Sequence, residues 1–391
     1  MIMFEEPSLA INGGQAVYPA GLKRGRVFGE EERQAVWEVM GRGVVSRAGM
    51  GEMVQQFEQA FAAYHDLPYA IATTSGTTAL HTAVDALQIG HGDEVIVPDL
   101  TFVSTASVVL QTGAKVVFCD IDPHTFNLSV RDLRSKITNR TKAVIVVHLY
   151  GMPADMDQIV SLVKERGIRL IEDCAQAHGA TISGQIVGTF GDIACYSFYQ
   201  TKNMSCGEGG MVVTRNEELA RRCRSLTRHG LTSDNLAVYD YDKLGYNYAM
   251  TELQAAIGLV QLRKLPDLNR SRCYNAALYR DGLNELHLQF QDDADGHVNH
   301  CLTAVLMTKL SAHREWFLKA VRAEGAMVNC LYPVALSRTA VFAGSNQPVV
   351  SHRVTTSLFN LYTNPDVTSH FVDVCCTAVR KVCSAMIGGE S

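Results

Sequence analysis

Ile168-Arg-Leu-Ile-Glu172-Asp173-Cys174-Ala175-Gln176-Ala177-His178 is the stretch that decides the fold. A short apolar run ends in two acids, and before it lies the amphipathic helical pattern 155–166, closed by Gly167 just past its basic end. The same alternation extends outward in both directions. With 168–172, strand-like runs fall at 69–73, 94–97, 115–119, 143–148, 193–197 and 211–214. Helical patterns lie between them; Ala79, Leu80, Ala83, Val84 and Leu87 share one face. Strands alternating with crossover helices predict an α/β fold with a mostly parallel sheet covered on both faces. Ligands of such sheets sit beyond the carboxyl ends of the strands.

From Thr251 the pattern changes. Residues 251–264 read as a helix with Leu253, Ala256, Ile257 and Val260 on one face, which Pro266 is expected to end or kink. Residues 292–296 read as a turn, 300–308 as a strand, 314–324 as a helix, 335–353 as loop-rich and 372–382 as a closing helix. The expected organisation is an N-terminal arm (1–27), a large domain (28–250) and a smaller C-terminal α/β domain (251–391).

The 391 residues, at ~150 per domain, suit two or three compact units. Thirty-five basic against 40 acidic residues leave a net charge of −5, which argues against nucleic acid or an anionic membrane as partner. The apolar run 143–147 stops at His148, far short of the ~20 residues that span a bilayer. Glu5, Glu6 and Pro7 stand where a signal peptide needs a basic and then an apolar run, so a cytoplasmic protein is expected. Eleven cysteines, with no C-x-x-C pair, read as buried reduced thiols and not as a zinc site.

Three segments carry chemistry. Ser75-Gly76-Thr77-Thr78 follows a strand and opens a helix, where backbone N–H groups and hydroxyls can cradle a phosphate. A plain helix cap would use the same residue types. Asp173, at a strand end, needs a partner in the crevice: a metal, a ribose hydroxyl or a protonated ring nitrogen. A structural Asp capping a turn fits equally, and for a metal Asp173 and His178 lack a third ligand in an obvious place. Lys202 lies in Tyr196-Ser-Phe-Tyr-Gln-Thr-Lys-Asn-Met204, before the glycine-rich turn at 207–210. A lysine partly desolvated there can lose its proton and form a Schiff base with a carbonyl. Together, a phosphate cradle, a carboxylate and a lysine fit pyridoxal phosphate. Phe102 is then a candidate to stack on the ring, against a simpler reading as a core aromatic. No Gly-x-Gly-x-x-Gly follows the first strand, which argues against a nicotinamide cofactor.

At these residues the sequence resembles the DegT/DnrJ/EryC1/StrS sugar aminotransferases, which have the fold-type I pyridoxal phosphate architecture. The likeness is dense over 28–265. It is carried by Gly51-Glu-Met-Val-Gln-Gln-Phe-Glu58, Ser75-Gly-Thr77, Gly92-Asp-Glu-Val-Ile-Val-Pro98, Glu172-Asp-Cys-Ala-Gln-Ala-His-Gly179 and Gly245-Tyr-Asn-Tyr248. The resemblance implies that Lys202 is the Schiff-base lysine and general base and that Asp173 partners the ring nitrogen. Gln176 would bond the ring hydroxyl, Phe102 would stack, and Gly76, Thr77 and Ser197 would hold the phosphate. Asn247 would reach the phosphate of the neighbouring subunit in a homodimer with shared active sites. L-glutamate or L-glutamine would be the donor and a keto-sugar or keto-cyclitol the acceptor, in amino-sugar and antibiotic biosynthesis. Residues 27–63 and the Asp173 segment lean towards enzymes that aminate aminoglycoside precursors. Two departures stand out: Ala249 occupies a position where relatives often carry Arg, and beyond about residue 299 the likeness thins, so acceptor recognition is expected there. The competing readings are a nucleotide-keto-sugar aminotransferase, a pyridoxal phosphate-binding regulator, and a dehydratase of the same fold. The dehydratases carry His in place of the lysine, so Lys202 counts against that class.

Overall fold

The computed structural model describes residues 4, 6–23, 28–46, 51–232 and 240–388. Seven of the apolar runs pair into one sheet: β1 (Tyr69–Thr73), β2 (Glu94–Pro98), β3 (Lys115–Cys119), β4 (Thr141–Val147), β5 (Arg169–Asp173), β6 (Ile193–Ser197) and β7 (Gly210–Thr214). Their order is β1-β7-β6-β5-β4-β2-β3. β7 runs antiparallel to both of its neighbours and every other pair is parallel.

Period-two alternation divides the core between the two faces of the sheet. Ile145, Ile171, Ile193 and Val212 pack on one side under α3 (Gly76–Ala86), α4 (Ser104–Gln111) and α7 (Glu217–Leu226). On the other, Val144, Val146 and Leu170 pack under α6 (Met156–Arg166), while Ala72, Tyr196 and Val213 meet α2 (Met53–Tyr64). With both faces covered, the strands need continuous apolar runs, as the sequence has. The α6 helix begins where the Asp155 carboxylate accepts from Gln158 N at 3.2 Å, and it stops at Gly167, whose φ of 65° suits a residue without Cβ.

Of the two outcomes expected at Pro266, the structure excludes an end. The helix α8 (Glu252–Leu283) runs through Pro266 and does not end there. Ala255, Leu262 and Leu265, before the proline, are buried against Phe57 and Phe198; Ala276, Tyr279 and Leu283, beyond it, are buried in a second core. Burial on both sides outweighs the ~3 kcal/mol that an internal proline costs a helix.

That second core belongs to a four-stranded antiparallel sheet of β8 (Leu288–Phe290), β9 (Leu302–Leu306), β10 (Val328–Asn329) and β11 (Leu358–Leu361), in the order β8-β9-β11-β10. It is covered by α9 (Arg314–Ala323) and α11 (Ser369–Gly388), with α10 (Val350–Ser357) at its side. The segment read as loop-rich holds two 3-10 turns, Leu336–Arg338 and Ala340–Phe342, and the start of α10. The N-terminal arm lies on this core: Leu9 is buried in it, and Tyr18 N and Leu22 N donate to the carbonyls of Glu324 and Gly325. Residues 1–3, 5 and 24–27, on which part of the leader and arm readings and Val27 fall, lie outside the described residues. The eleven cysteines are unpaired, and all but Cys273 and Cys330 are buried. Among the described residues no helix is long and apolar enough to cross a membrane.

Candidate active site

Because β7 is reversed between β1 and β6, the carboxyl ends of β1, β6 and β5 share one edge of the sheet. β1 leads into the start of α3, β6 ends on Ser197, and β5 ends on Asp173. Ser75 and Thr78 act as a helix cap: the Ser75 Oγ accepts from Thr78 N at 3.1 Å and the Thr78 Oγ1 from Ser75 N at 2.9 Å. The N–H groups of Gly76 and Thr77, in the first turn of α3, are left without an acceptor among the described residues. Gly76 is where it is because nothing larger fits: a Cβ there would lie 2.6 Å from that of Ser197. The Thr77 Oγ1 meets the Ser104 Oγ at 2.6 Å. Two free amides, three hydroxyls and the positive end of a helix form an anion cradle.

Lys202 sits in the turn after β6, where its own N–H donates to the Tyr199 carbonyl at 2.9 Å. Its side chain is half-buried, and the amine has no hydrogen-bond or ion-pair partner among the described residues. Burial lowers its pKa to about 8, against the pull of Asp173 and Cys301 in the other direction. Asp173 accepts from the Thr105 hydroxyl at 2.9 Å and from Ala175 N at 3.1 Å. Burial raises its pKa, opposed by those two bonds and by the charge of Lys202. A buried carboxylate with two donors retains acceptor capacity for a cationic N–H.

The other expected residues divide. The Gln176 Oε1 accepts from Tyr150 N at 2.7 Å and its Nε2 donates to the Tyr332 hydroxyl at 2.7 Å, which leaves one amide N–H. Phe102 is 55% exposed, so the core reading fails; its ring centre is 6.4 Å from that of Tyr332. Asn247 does not join the group within the chain: it is exposed, on a loop whose Tyr246 and Tyr248 stack at 4.8 Å and bond Asp85 and His81 of α3. Ala249 is half-buried on the same loop.

Ser104, Thr105 and Tyr332 were not anticipated. The first two open α4 just beyond β2, where the strand-end rule could have found them. Tyr332 arrives from the C-terminal region on a left-handed backbone (φ 66°) and stacks on Tyr150 at 6.0 Å, which no local pattern announces. His148, Glu172 and Cys174 bring possible metal ligands close together, but Glu172 is already engaged. Its oxygens accept from Gly188 N at 2.7 Å, Phe190 N at 2.8 Å and Gly191 N at 2.7 Å, and meet the His148 Nε2 at 3.1 Å. Ala154 N donates to the His148 Nδ1 at 3.1 Å, so the proton of a neutral ring sits on Nε2, facing Glu172.

The family model of the DegT/DnrJ/EryC1/StrS aminotransferase family matches residues 27–380. The GDP-perosamine synthase of Escherichia coli O157:H7 is 43% identical over 265 residues, 68% of this chain and 72% of that protein. The L-glutamine:2-deoxy-scyllo-inosose aminotransferase of Streptomyces fradiae is 39% identical over 300 residues, 74% of this chain and 71% of that one. The crystal structure of S. venezuelae DesV in complex with a ketimine intermediate superposes with a TM-score of 0.83 at 32% identity, over 90% of this chain and 94% of DesV. The fold class expected from the sequence is the one observed. The chain belongs to the DegT/DnrJ/EryC1/StrS family of pyridoxal phosphate-dependent aminotransferases.

Proposed function

We propose that this enzyme transfers an amino group from L-glutamate or L-glutamine to a keto-sugar or keto-cyclitol, with pyridoxal phosphate as cofactor. The observation that carries the reading is the Lys202 amine, half-buried and unpartnered among the described residues, on the edge that also holds Asp173 and the anion cradle. The residues fit the cofactor. The amides of Gly76 and Thr77 and the hydroxyls of Thr77 and Ser197 would take the phosphate. Asp173 would hold a protonated ring nitrogen, the remaining N–H of Gln176 would reach the ring hydroxyl, and Phe102 would cover one face. When bound, the cofactor supplies an aldehyde that takes up and passes on the amino group, and a ring that accepts the electrons of a broken C–H bond.

Lys202 is the base that takes the proton from the amine-bearing carbon of the donor. In the second half of the reaction it is the acid that returns a proton to the sugar carbon gaining nitrogen. A pKa of about 8 keeps part of it neutral, and so basic, at neutral pH. Asn247, exposed and without a side-chain bond among the described residues, would reach the site of a second subunit in a homodimer.

L-glutamine as donor is supported by the name of the Streptomyces fradiae relative. The acceptor has two supported forms: the name of that relative favours a keto-cyclitol, and that of the GDP-perosamine synthase a nucleotide-bound keto-sugar. The test begins with the visible absorption of the purified protein. It should bleach on adding glutamate or glutamine, with release of the matching keto acid, and the same sample should then aminate one member of a panel of keto-sugars, nucleotide keto-sugars and keto-cyclitols. Colour without a donor response would point to a regulator, and loss of a hydroxyl without gain of nitrogen to a dehydratase. Reactivity of the Lys202 amine should rise through pH 8; a midpoint near the ordinary 10.5 would contradict its burial.

A further inference from the structure

The Lys202 turn and the Asp173 loop part company where the sheet ends. Among the described residues their last direct backbone bond is Cys174 N to the Cys195 carbonyl at 2.8 Å; beyond it β5 has ended, and β6 runs on beside β7 only as far as Ser197. What spans them next is one face of α8. The Asn269 Nδ2 donates to the His178 carbonyl at 2.8 Å, and its Oδ1 accepts from the Asn203 Nδ2 at 2.9 Å. Three residues on, Arg272 donates from Nη2 to the Lys202 carbonyl at 3.3 Å and from Nη1 to the His300 carbonyl at 2.8 Å. Residues three apart on a helix lie side by side, so the two side chains form one contact surface.

The rest of the surroundings tightens the same joint. The Asn203 Oδ1 meets the His300 Nδ1 at 2.9 Å, and the Thr363 hydroxyl donates to the carbonyls of Asn299 at 2.6 Å and His300 at 3.2 Å. Gly179, with φ 75°, makes room for the bridge: a Cβ there would lie 3.0 Å from the Asn269 Nδ2 and 2.8 Å from the Tyr64 hydroxyl. Arg272 is only 1% exposed. A planar fork can hold two carbonyls at a fixed angle and separation, which the single ammonium of a lysine cannot reproduce.

We propose that Asn269 and Arg272 are positioning residues, which hold the Lys202 turn in register with the Asp173–His178 loop and so set where the amine stands relative to the carboxylate. Both act on main-chain carbonyls and on Asn203, not on reacting atoms. The proposal rests on the cofactor reading above and deepens it. Misplacing a reacting group by about 1 Å costs up to about a hundredfold in rate, so a joint of this kind has a kinetic consequence well before it has a folding one.

The full-length protein is incubated with pyridoxal phosphate, reduced with borohydride, and the label on Lys202 is followed by peptide mass spectrometry over time. Asn269→Ala and Arg272→Lys are treated alongside, well below their melting temperatures. Labelling of Lys202 should slow about tenfold in each, a fraction of the full misplacement penalty, while circular dichroism stays that of the wild type. In turnover, kcat should fall with little change in the KM of the donor. Variants that fold as the wild type does and label Lys202 at its rate would overturn the proposal. If Arg272→Lys does not fold, Asn269→Ala, which removes no charge, decides it alone. An unlabelled Lys202 in the wild type would instead remove the cofactor reading, and the proposal with it.

Discussion

The carboxyl edge of the large sheet and the C-terminal segment 328–363 meet at the same site, yet they are held there by different means. On the edge, Asp173 and Ser197 are the last residues of their strands, and Lys202 follows in the next turn. Their places follow from ladder bonds a few residues away. Segment 328–363 begins and ends on strands of the second sheet, β10 and β11, but between them it has two 3-10 turns, a left-handed tyrosine and α10, and this stretch is fastened to the large sheet. Asp99, just past β2, accepts from Ser337 N at 2.7 Å and from the hydroxyls of Ser337 at 2.9 Å and Ser351 at 2.6 Å. Asp120, just past β3, accepts from the amides of Val349, Val350 and Ser351 where α10 begins. The edge that carries the chemistry is built locally; the part that completes its rim is fastened on from a distance. Substitutions on the edge should therefore remove turnover and spare the fold, whereas those at the fastening should do the reverse.

The sharpest contrast is expected from Lys202→Ala. Loss of the acid–base group should lower turnover by about a thousandfold or more, while thermal melting shows no loss of stability, since a partly desolvated amine is removed. A sizeable drop in melting temperature would break the division of labour. Asp173→Asn keeps the shape and removes the charge; turnover should fall about a hundredfold, and the visible spectrum of the bound cofactor should change with it. At the fastening, Asp99→Ala leaves three donors without their acceptor. Chemical denaturation should show a loss of about 2 kcal/mol, with kcat nearly intact and the KM of the acceptor raised. The smallest effect belongs to Tyr332→Phe, which deprives the Gln176 amide of its acceptor and should weaken cofactor retention by about 1 kcal/mol, read by equilibrium dialysis.

The same difference explains what could be read in advance. Strand, turn and helix on the edge are short-range events, so the periodicity of 168–172 puts Asp173 at a strand end and the small residues at 75–78 at a helix start, while a capping role for either stays open at that level. Phe102 could not be told from a core aromatic because its exposure depends on what the C-terminal region leaves uncovered. Tyr332 was invisible because its bond to Gln176 spans 156 residues. Pro266 left two outcomes open for a related reason: local propensity ends or kinks a helix there, and burial against two separate cores carries it on. Asn247 shows a further boundary, since an exposed residue with no side-chain bond among the described residues gives a single chain no sign of its use.

Glu172 and Asp173 are adjacent acids that the pleat of β5 sends to opposite sides of the sheet, one to three waiting amides and a histidine, the other to the open edge. Were β5 to slip by a single residue during folding, every side chain would change sides: Glu172 would leave its amides, and Ile171 or Asp173, apolar or one methylene shorter, would stand in its place. The acid outside the open edge is thus a register pin for its neighbour: three N–H groups keep their acceptor only while β5 stays aligned.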